Sequence, residues 1–139
     1  MSSEPPPASR RQMRFRWAAA IVWLAAAAFI IFCADRRWLR PMFAFITAHP
    51  GLDKAGHFLL VGGTAFLLNL ALRLRTWDAA GRSWLVGGTL VAVVFTIEEI
   101  SQTWLPSRSF DLLDLVCDYS GIVCFGWLAE RLFGPRAQV

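Results

Sequence analysis

The sequence predicts an all-α fold, a four-helix transmembrane bundle with a disordered N-terminal tail and an interfacial segment between its first two helices. Its 139 residues are 56% hydrophobic and 17% charged, whereas soluble domains average about 45–50% and about 25%. Four apolar stretches follow one another along the chain. In lipid, only helices or closed barrels satisfy every backbone polar group, and the alternating pattern of barrel strands is missing. The apolar stretches are therefore predicted to be membrane-spanning helices.

Residues 1–12 are predicted to form the disordered tail, because they include three consecutive prolines at 5–7 and little that can pack. Residues 13–139 then form a single transmembrane domain. Its first apolar run, 17–34, is just long enough to span a bilayer. A cleaved signal peptide is the alternative for this run, and the twin arginine at 10–11 is a weak export signal. No small-x-small cleavage site closes the run and more apolar runs follow, which favours a signal anchor.

Three further apolar runs, at about 56–72, 83–97 and 112–133, predict the second, third and fourth spans. Segment 35–50, between the first two spans, contains arginines followed by aromatic residues. That order suits a segment lying in the headgroup plane. An ordinary loop is the alternative for it.

The five-residue stretch Leu-Val-Gly-Gly-Thr occurs twice, at 60–64 and at 85–89. Consecutive spans run in opposite directions, so the match is not a tandem repeat. Small residues let helices approach closely. The stretches are therefore predicted to be helix contacts.

The apolar runs predict a multi-pass protein, which we expect in the inner (cytoplasmic) membrane, and the distribution of basic residues predicts both termini in the cytoplasm. With the N-terminus inside, nine of the fourteen lysines and arginines fall on the cytoplasmic side. These arginines flank apolar runs, so the net charge of +4 does not indicate a nucleic-acid partner. In either orientation, the start of the second span and the segment joining the last two spans lie on the same membrane face.

A first polar cluster opens the second span with Asp53, Lys54 and His57. Ionisable groups at membrane depth cost roughly 2.5–3.5 kcal/mol each, so they indicate a functional site. Asp53 and His57 are four residues apart and share a helix face. The carboxylate would fix the imidazole tautomer and leave the other nitrogen for a substrate or metal. The alternative is that Asp53 caps the helix and His57 lies at the interface.

A second polar cluster ends the third span and begins the fourth. The glutamates at 98–99 lie about one turn before Gln102, which sets a carboxylate beside an amide. Asp111, Asp114 and Asp118 then form one acidic stripe along a helix. Either Asp111 or Ser109 is a good N-cap, but capping does not account for Asp118, which lies two turns into the span. Packed carboxylates repel one another and need a compensating cation. The partners that the sequence offers are Arg108, Lys54 and His57.

The two clusters together form an ordered motif. It reads Asp53-Lys54-x-x-His57-Phe58, Glu99-x-x-Gln102, Pro106-x-Arg108-Ser109-Phe110-Asp111, Asp114 and Gly121. In order and spacing this motif, which covers about residues 53–126, resembles the VanZ-like family of small bacterial membrane proteins. A member of that family is linked to resistance to the glycopeptide teicoplanin, so the resemblance implies a role in the cell envelope. The chain departs from the family at Asp118, where an asparagine is usual, and at 61–62, where an aromatic residue is common.

We consider two functions for this site. In the first, the site lies at the outer membrane face and binds or modifies an anionic molecule that is a membrane lipid, is lipid-linked or is otherwise amphiphilic. Basic groups would hold its phosphate or carboxylate, and an imidazole beside a carboxylate would act as acid and base. The residues assigned to catalysis are His57, Glu99, Asp111 and Asp114. The residues assigned to binding are Lys54, Gln102, Arg108, Asp53 and Asp118.

In the second, the protein is a non-enzymatic accessory or scaffold protein, whose polar cluster recognises a precursor or drug or holds the helices together.

An enzyme of the first kind would need a nucleophile or a metal-bound water. The carboxylates and the imidazole assigned to catalysis suit a divalent metal such as Mg²⁺, Mn²⁺ or Zn²⁺. An ion pathway is disfavoured, because the inner halves of the spans carry almost no ionisable groups. The sequence specifies no oligomeric state.

Overall fold

The computed structural model describes residues 9–36, 38, 40–104 and 110–134. This part of the chain is mostly helical. Its helices are α1 (Arg10–Asp35), α2 (Arg40–Thr47), α3 (Pro50–Ala71), α4 (Val86–Ser101) and α5 (Leu112–Phe133). A hairpin of strands β1 (Thr76–Ala79) and β2 (Arg82–Leu85) joins α3 to α4, and a 3₁₀ turn (Gln102–Trp104) follows α4.

Three of these helices are long and apolar enough to cross a membrane, within Arg10–Cys33, Gly51–Ala71 and Leu112–Phe133. The prediction of a multi-pass membrane protein is therefore supported for the first, second and fourth spans. Helix α4 has 16 residues and a length of about 24 Å, short of the roughly 30 Å of bilayer hydrocarbon. The four-helix transmembrane count remains a prediction.

The all-α prediction is wrong at residues 76–85, which form the β-hairpin. Strand β1 pairs antiparallel with β2, and the register places Trp77 opposite Trp84. Ala80 and Gly81 form the turn with φ of 52° and 72°. Two consecutive residues with positive φ are the geometry of the tight hairpin turn that matches the strand twist. The third apolar run therefore begins as a strand, and its helix starts at Val86.

Helix α1 begins earlier than the apolar run predicted. Ser9 Oγ accepts from the Gln12 backbone N–H at 3.2 Å, and Gln12 Oε1 accepts from the Ser9 N–H at 3.0 Å. This reciprocal pair is a capping box, which satisfies N–H groups that a helix start leaves free. Residues 10–12 of the predicted tail are therefore helical, and residues 1–8 lie outside the described residues.

The segment between the first two spans contains the eight-residue helix α2. The alternative of an ordinary loop is therefore wrong for residues 40–47. Met42 and Phe45 on this helix are exposed, as expected for apolar side chains that reach into a bilayer interface. A location in the headgroup plane remains a prediction.

Helix α3 packs against the other three long helices. It runs antiparallel to α1, because Trp23 Nε1 donates to Thr64 Oγ1 at 3.0 Å and Arg16 reaches the Leu70 carbonyl. It runs parallel to α5, because Lys54 near its start pairs with Asp114 near the start of α5. Helices α3 and α5 therefore begin at the same end of the molecule, where α4 ends.

Glycines let α3 and α5 approach closely. A Cβ added to Gly62 would lie 2.6 Å from Phe125 Cδ2 and 3.0 Å from the Gly121 carbonyl oxygen. A Cβ added to Gly121 would meet the Phe58 carbonyl oxygen. The prediction that the Gly-Gly stretches are helix contacts is thereby confirmed for the first of them.

The second Gly-Gly stretch packs on Asn69 of α3. The Gly88 backbone N–H donates to the Asn69 side-chain oxygen at 3.0 Å. Helix α4 has no side-chain cap at its own N-cap residue, Leu85, so Asn69 satisfies one of its free N–H groups from the neighbouring helix. This contact joins the start of α4 to the end of α3.

Candidate functional site

The structure brings eight of the nine predicted site residues to one end of the molecule, which we call the polar end. Three come from the start of α3, three from the start of α5 and its N-cap, and two from the end of α4 and the turn after it. They are Asp53, Lys54, His57, Asp111, Asp114, Asp118, Glu99 and Gln102. The ninth, Arg108, lies outside the described residues.

Lys54 forms the ionic contact between α3 and α5. Its ammonium nitrogen lies 2.5 Å from Asp111 Oδ2, pairs with Asp114 and is 3.7 Å from Asp53 Oδ2. Charged groups that leave bulk water need such direct partners. Lys54 thus joins the start of α3 to the start of α5. Its two partners there, Asp111 and Asp114, lie 57 and 60 residues further along the chain.

Asp111, one of the two N-cap candidates in the sequence, is the N-cap residue of α5. Its Oδ1 accepts from the Leu113 backbone N–H at 2.8 Å, the usual capping bond. The Lys54 ammonium and this N–H lower the pKa of Asp111 below its ordinary value, because both donate to the charged form. Asp111 is therefore a carboxylate at neutral pH.

His57 lies one turn deeper and bonds to α5. Its Nδ1 lies 3.0 Å from Asp118 Oδ1, and its Nε2 lies 3.7 Å from Asp114 Oδ1. The prediction that Asp53 fixes the imidazole tautomer is wrong, because Asp118 occupies that hydrogen-bonding position. The Asp53 carboxylate still lies within 4.8 Å of an imidazole nitrogen. Asp118, which capping could not explain, therefore has a partner on the facing helix.

Glu99 is 0% exposed and is held by two donors. The Asp111 backbone N–H donates to Oε1 at 3.0 Å, and Gln102 Nε2 donates to Oε2 at 2.9 Å. Gln102 Nε2 also contacts both oxygens of Glu98, at 3.1 and 3.3 Å. Gln102 therefore bonds to both glutamates, at the spacings of three and four residues considered in the sequence. Glu98 is thus a member of the network that was absent from the predicted site, and its position one turn before Gln102 was the available signal.

Among the described residues, two groups of side chains at the polar end have the donor atoms for a metal ion. One consists of Asp53, His57 and Asp114, and the other of His57, Glu99 and Asp118. Within each group the donor atoms lie within 4.8 Å of one another. Imidazole nitrogen and carboxylate oxygen together suit first-row divalent ions such as Zn²⁺ and Mn²⁺.

The described part of the polar end carries an excess of negative charge. Among the described residues that form the site itself, the basic side chains are Lys54 and His57, and Lys54 already contacts three carboxylates. Its acidic side chains are Asp53, Glu98, Glu99, Asp111, Asp114 and Asp118. An incoming anion therefore needs a cation other than Lys54 and His57.

Comparison with known proteins adds no relative. No family model, no curated protein and no solved structure matches the chain. The VanZ-like resemblance stays a prediction from the motif, whose Pro106, Arg108 and Ser109 also lie outside the described residues.

Proposed function

We propose that this chain is a VanZ-like integral membrane protein whose polar end binds the headgroup of a lipid-linked or amphiphilic molecule. In this proposal the chain crosses the inner membrane four times, with both termini in the cytoplasm and the polar end at the outer leaflet. The observation that carries the proposal is the convergence of buried and half-buried ionisable groups from three helices at one end.

The burial of these groups supports a role beyond helix capping. Glu99 and Asp118 are 0% and 2% exposed, and burying carboxylates is unfavourable unless something compensates. Stability alone does not call for them, because well-packed apolar residues often stabilise as well as buried ion pairs do. A chain that retains six carboxylates at one end is therefore best explained by a ligand.

The surroundings of the polar end support an amphiphilic ligand. Large apolar side chains beside it face outward, among them Ile97, Trp104, Leu112, Leu113 and Val116. Trp104 is 76% exposed, as is common for an aromatic anchor at a membrane interface. A molecule with a polar head and an acyl or prenyl tail fits this arrangement, with its head at the ionisable groups and its tail along the apolar side chains.

The hydrogen bonds suggest which residue exchanges protons with a headgroup. Asp118 contacts His57 Nδ1, and a carboxylate on one ring nitrogen fixes the tautomer and leaves the other nitrogen to act as acid or base. In a metal-free enzymatic form of the proposal His57 is this residue. In the binding form it is a hydrogen-bond donor to the headgroup.

The second candidate function is a structural clamp, in which the polar residues only hold the helices together. It is favoured because Lys54 and Glu99 each already have partners within the protein. A binding assay and an unfolding assay separate the two functions. We expect His57→Ala to weaken binding of a fluorescent short-chain phosphatidic acid about tenfold, a loss of about 1.4 kcal/mol, with a nearly unchanged melting temperature. His49→Ala is the matched control, because His49 is exposed and bonds to the Phe45 carbonyl. A collapse of the melting temperature in both His57→Ala and Glu99→Ala would establish the clamp.

Labelling of single cysteines tests the four-span topology. In a background without Cys33, Cys117 and Cys124, we expect Ala55→Cys and Phe110→Cys to react with an impermeant maleimide from outside the cell. Ala80→Cys in the hairpin turn should react only after permeabilisation. Labelling of positions 55 and 110 from opposite sides would contradict the topology and the location of the proposed site.

A further inference from the structure

We propose that the polar end holds one divalent metal ion, bound by His57, Glu99 and Asp118 between α3, α4 and α5. Two ligand atoms at about 2.1 Å from one ion lie about 3 to 4.2 Å apart, depending on the bond angle. The donor atoms of these three side chains already lie within 4.8 Å of one another. Small side-chain rotations therefore suffice to bring them onto one ion.

The donor set is assembled by tertiary packing and is not a run of acidic residues along one helix. His57 belongs to α3, Glu99 to α4 and Asp118 to α5. Imidazole is a ligand that carboxylate-only surface clusters lack, and it favours Zn²⁺ or Mn²⁺ over Ca²⁺. The set thus has the ligand types of a transition-metal site.

The charge balance favours this set over the second group of donors, which uses Asp53 and Asp114. Lys54 is committed to Asp111 and Asp114 at the shortest distances of the cluster. Glu99 and Asp118 are the most buried carboxylates at this end, and the imidazole is the only basic group beside them among the described residues. A protonated imidazole neutralises one of the two charges. A divalent ion with neutral imidazole neutralises both, and buried charge requires compensation.

The groups around Glu99 resemble the outer shell of a metal site. The Gln102 amide and the Asp111 backbone N–H each bond to one oxygen of this carboxylate. Hydrogen bonds of this kind orient a ligating carboxylate and are a regular feature of metal centres. Each oxygen keeps a second lone pair for an ion.

A bound ion would explain how an end rich in acidic residues binds an anionic headgroup. Three protein ligands leave coordination positions open, as in metal sites that bind substrate. A phosphate or carboxylate of the headgroup would bind there despite the surrounding carboxylates. This second part of the inference rests on the proposed function, whereas metal binding itself does not.

Manganese binding by the full-length protein in detergent tests the site. After removal of metals with EDTA, we expect electron paramagnetic resonance to show about one Mn²⁺ bound per chain, and the melting temperature to rise by several degrees on saturation. Glu99→Gln and Asp118→Asn should each weaken Mn²⁺ binding by about 100-fold or more, beyond the 10–100-fold typical of outer-shell changes. Glu130→Gln, an exposed position on α5, is the control and should bind as wild type does.

Three outcomes would overturn the site. They are no retained Mn²⁺ or Zn²⁺ in the wild type, equal binding in Glu99→Gln and Asp118→Asn, and loss of binding in Asp53→Asn with retention in Asp118→Asn. The last result would assign the ion to the other group of donors.

The phosphatidic acid probe separates this inference from the proposed function. If the protein binds Mn²⁺ through Glu99 and Asp118 but does not bind the probe, the metal site is supported and the proposal of headgroup binding is contradicted. If the probe binds equally well in EDTA and in Mn²⁺, headgroup binding is supported, but the role of the ion in binding the headgroup is contradicted.

Discussion

The two ends of the molecule differ in the burial and in the partners of their charged side chains. At the polar end, Glu99 and Asp118 are buried and bonded across helices. Asp118 bonds to the His57 imidazole, and Glu99 accepts from the Asp111 backbone N–H. At the opposite end, which we call the basic end, α3 ends, the hairpin turns and α4 begins. Its arginines at 73, 75 and 82 are exposed. The charges of the basic end are open to solvent, whereas those of the polar end have hydrogen-bond and ion-pair partners within the protein.

The basic end uses its arginines and tryptophans as expected at a membrane surface. Trp77 and Trp84 face each other across the hairpin and are 46% and 45% exposed. Arg131 lies over the Trp127 ring at 5.5 Å, a favourable cation–π distance. Single changes there should be mild, because each group has water as an alternative partner. Removal of Lys54 at the polar end leaves Asp111 and Asp114 without their cation and should be severe.

The largest expected effect is that of Lys54→Met, which keeps an apolar stem and removes the ammonium. We expect a loss of about 2–4 kcal/mol in the free energy of unfolding, somewhat below the cost of breaking a fully buried pair, because water reaches Asp111. Denaturant unfolding in detergent micelles, followed by circular dichroism, measures it.

Arg82→Met on β2 is the matched change at the basic end, where we expect a loss within about 0.5 kcal/mol. Equal losses at Lys54 and Arg82 would contradict the contrast between the ends.

A smaller effect is expected between the two ends, where α3 and α5 cross. A Cβ at Gly121 would meet the Phe58 carbonyl and lie 3.2 Å from the Gly62 nitrogen. Gly121→Ala should therefore force the helices apart and destabilise the fold by about 1–3 kcal/mol. Because the crossing sets the pairing at the polar end, the same change should also weaken Mn²⁺ binding.

Gly56→Ala on α3 is the control for Gly121→Ala, because a Cβ at Gly56 has no neighbour within 4 Å. Alanine is the better helix former, so this change should be neutral or stabilise by up to about 1 kcal/mol. Similar destabilisation by both changes would show that loss of glycine matters for reasons other than helix contact.

The smallest effect is the acid dependence of stability that Asp111 contributes. Its pKa is lower in the folded protein than the ordinary value, because of Lys54 and the Leu113 N–H. Its contribution is therefore complete above the unfolded pKa of about 3.9 and is lost as the pH falls through the lower folded pKa. Melting temperatures between pH 3 and pH 6 should fall less steeply at the acid end in Asp111→Asn than in wild type.

The double change Lys54→Met with Asp111→Asn checks the origin of this acid dependence. Without the ammonium, the asparagine substitution should alter the acid limb much less, because the two residues act as a coupled pair. An unchanged effect would attribute the pKa shift to the helix start alone.

Much of the architecture could be predicted from local sequence. The apolar runs indicated the helices α1, α3 and α5, since uninterrupted apolar residues are how a chain meets lipid. Asp111 was recognisable as an N-cap by residue type and position. The capping box at Ser9 and Gln12 was equally readable, because its signature spans four residues. The hairpin was missed because residues 83–85 continue an apolar run, and only the turn at Ala80 and Gly81 marks them as a strand.

The long apolar helices and the presence of a polar end were thus set by composition, order and local capping signals in the sequence itself. The partners within that end were decided by tertiary structure. His57 bonds to Asp118 rather than to its helical neighbour Asp53, because α3 and α5 run parallel and glycines at 62 and 121 bring them together. Spacing along a chain specifies which side chains share a face of one helix. Which face of another helix they meet depends on packing between residues far apart in sequence.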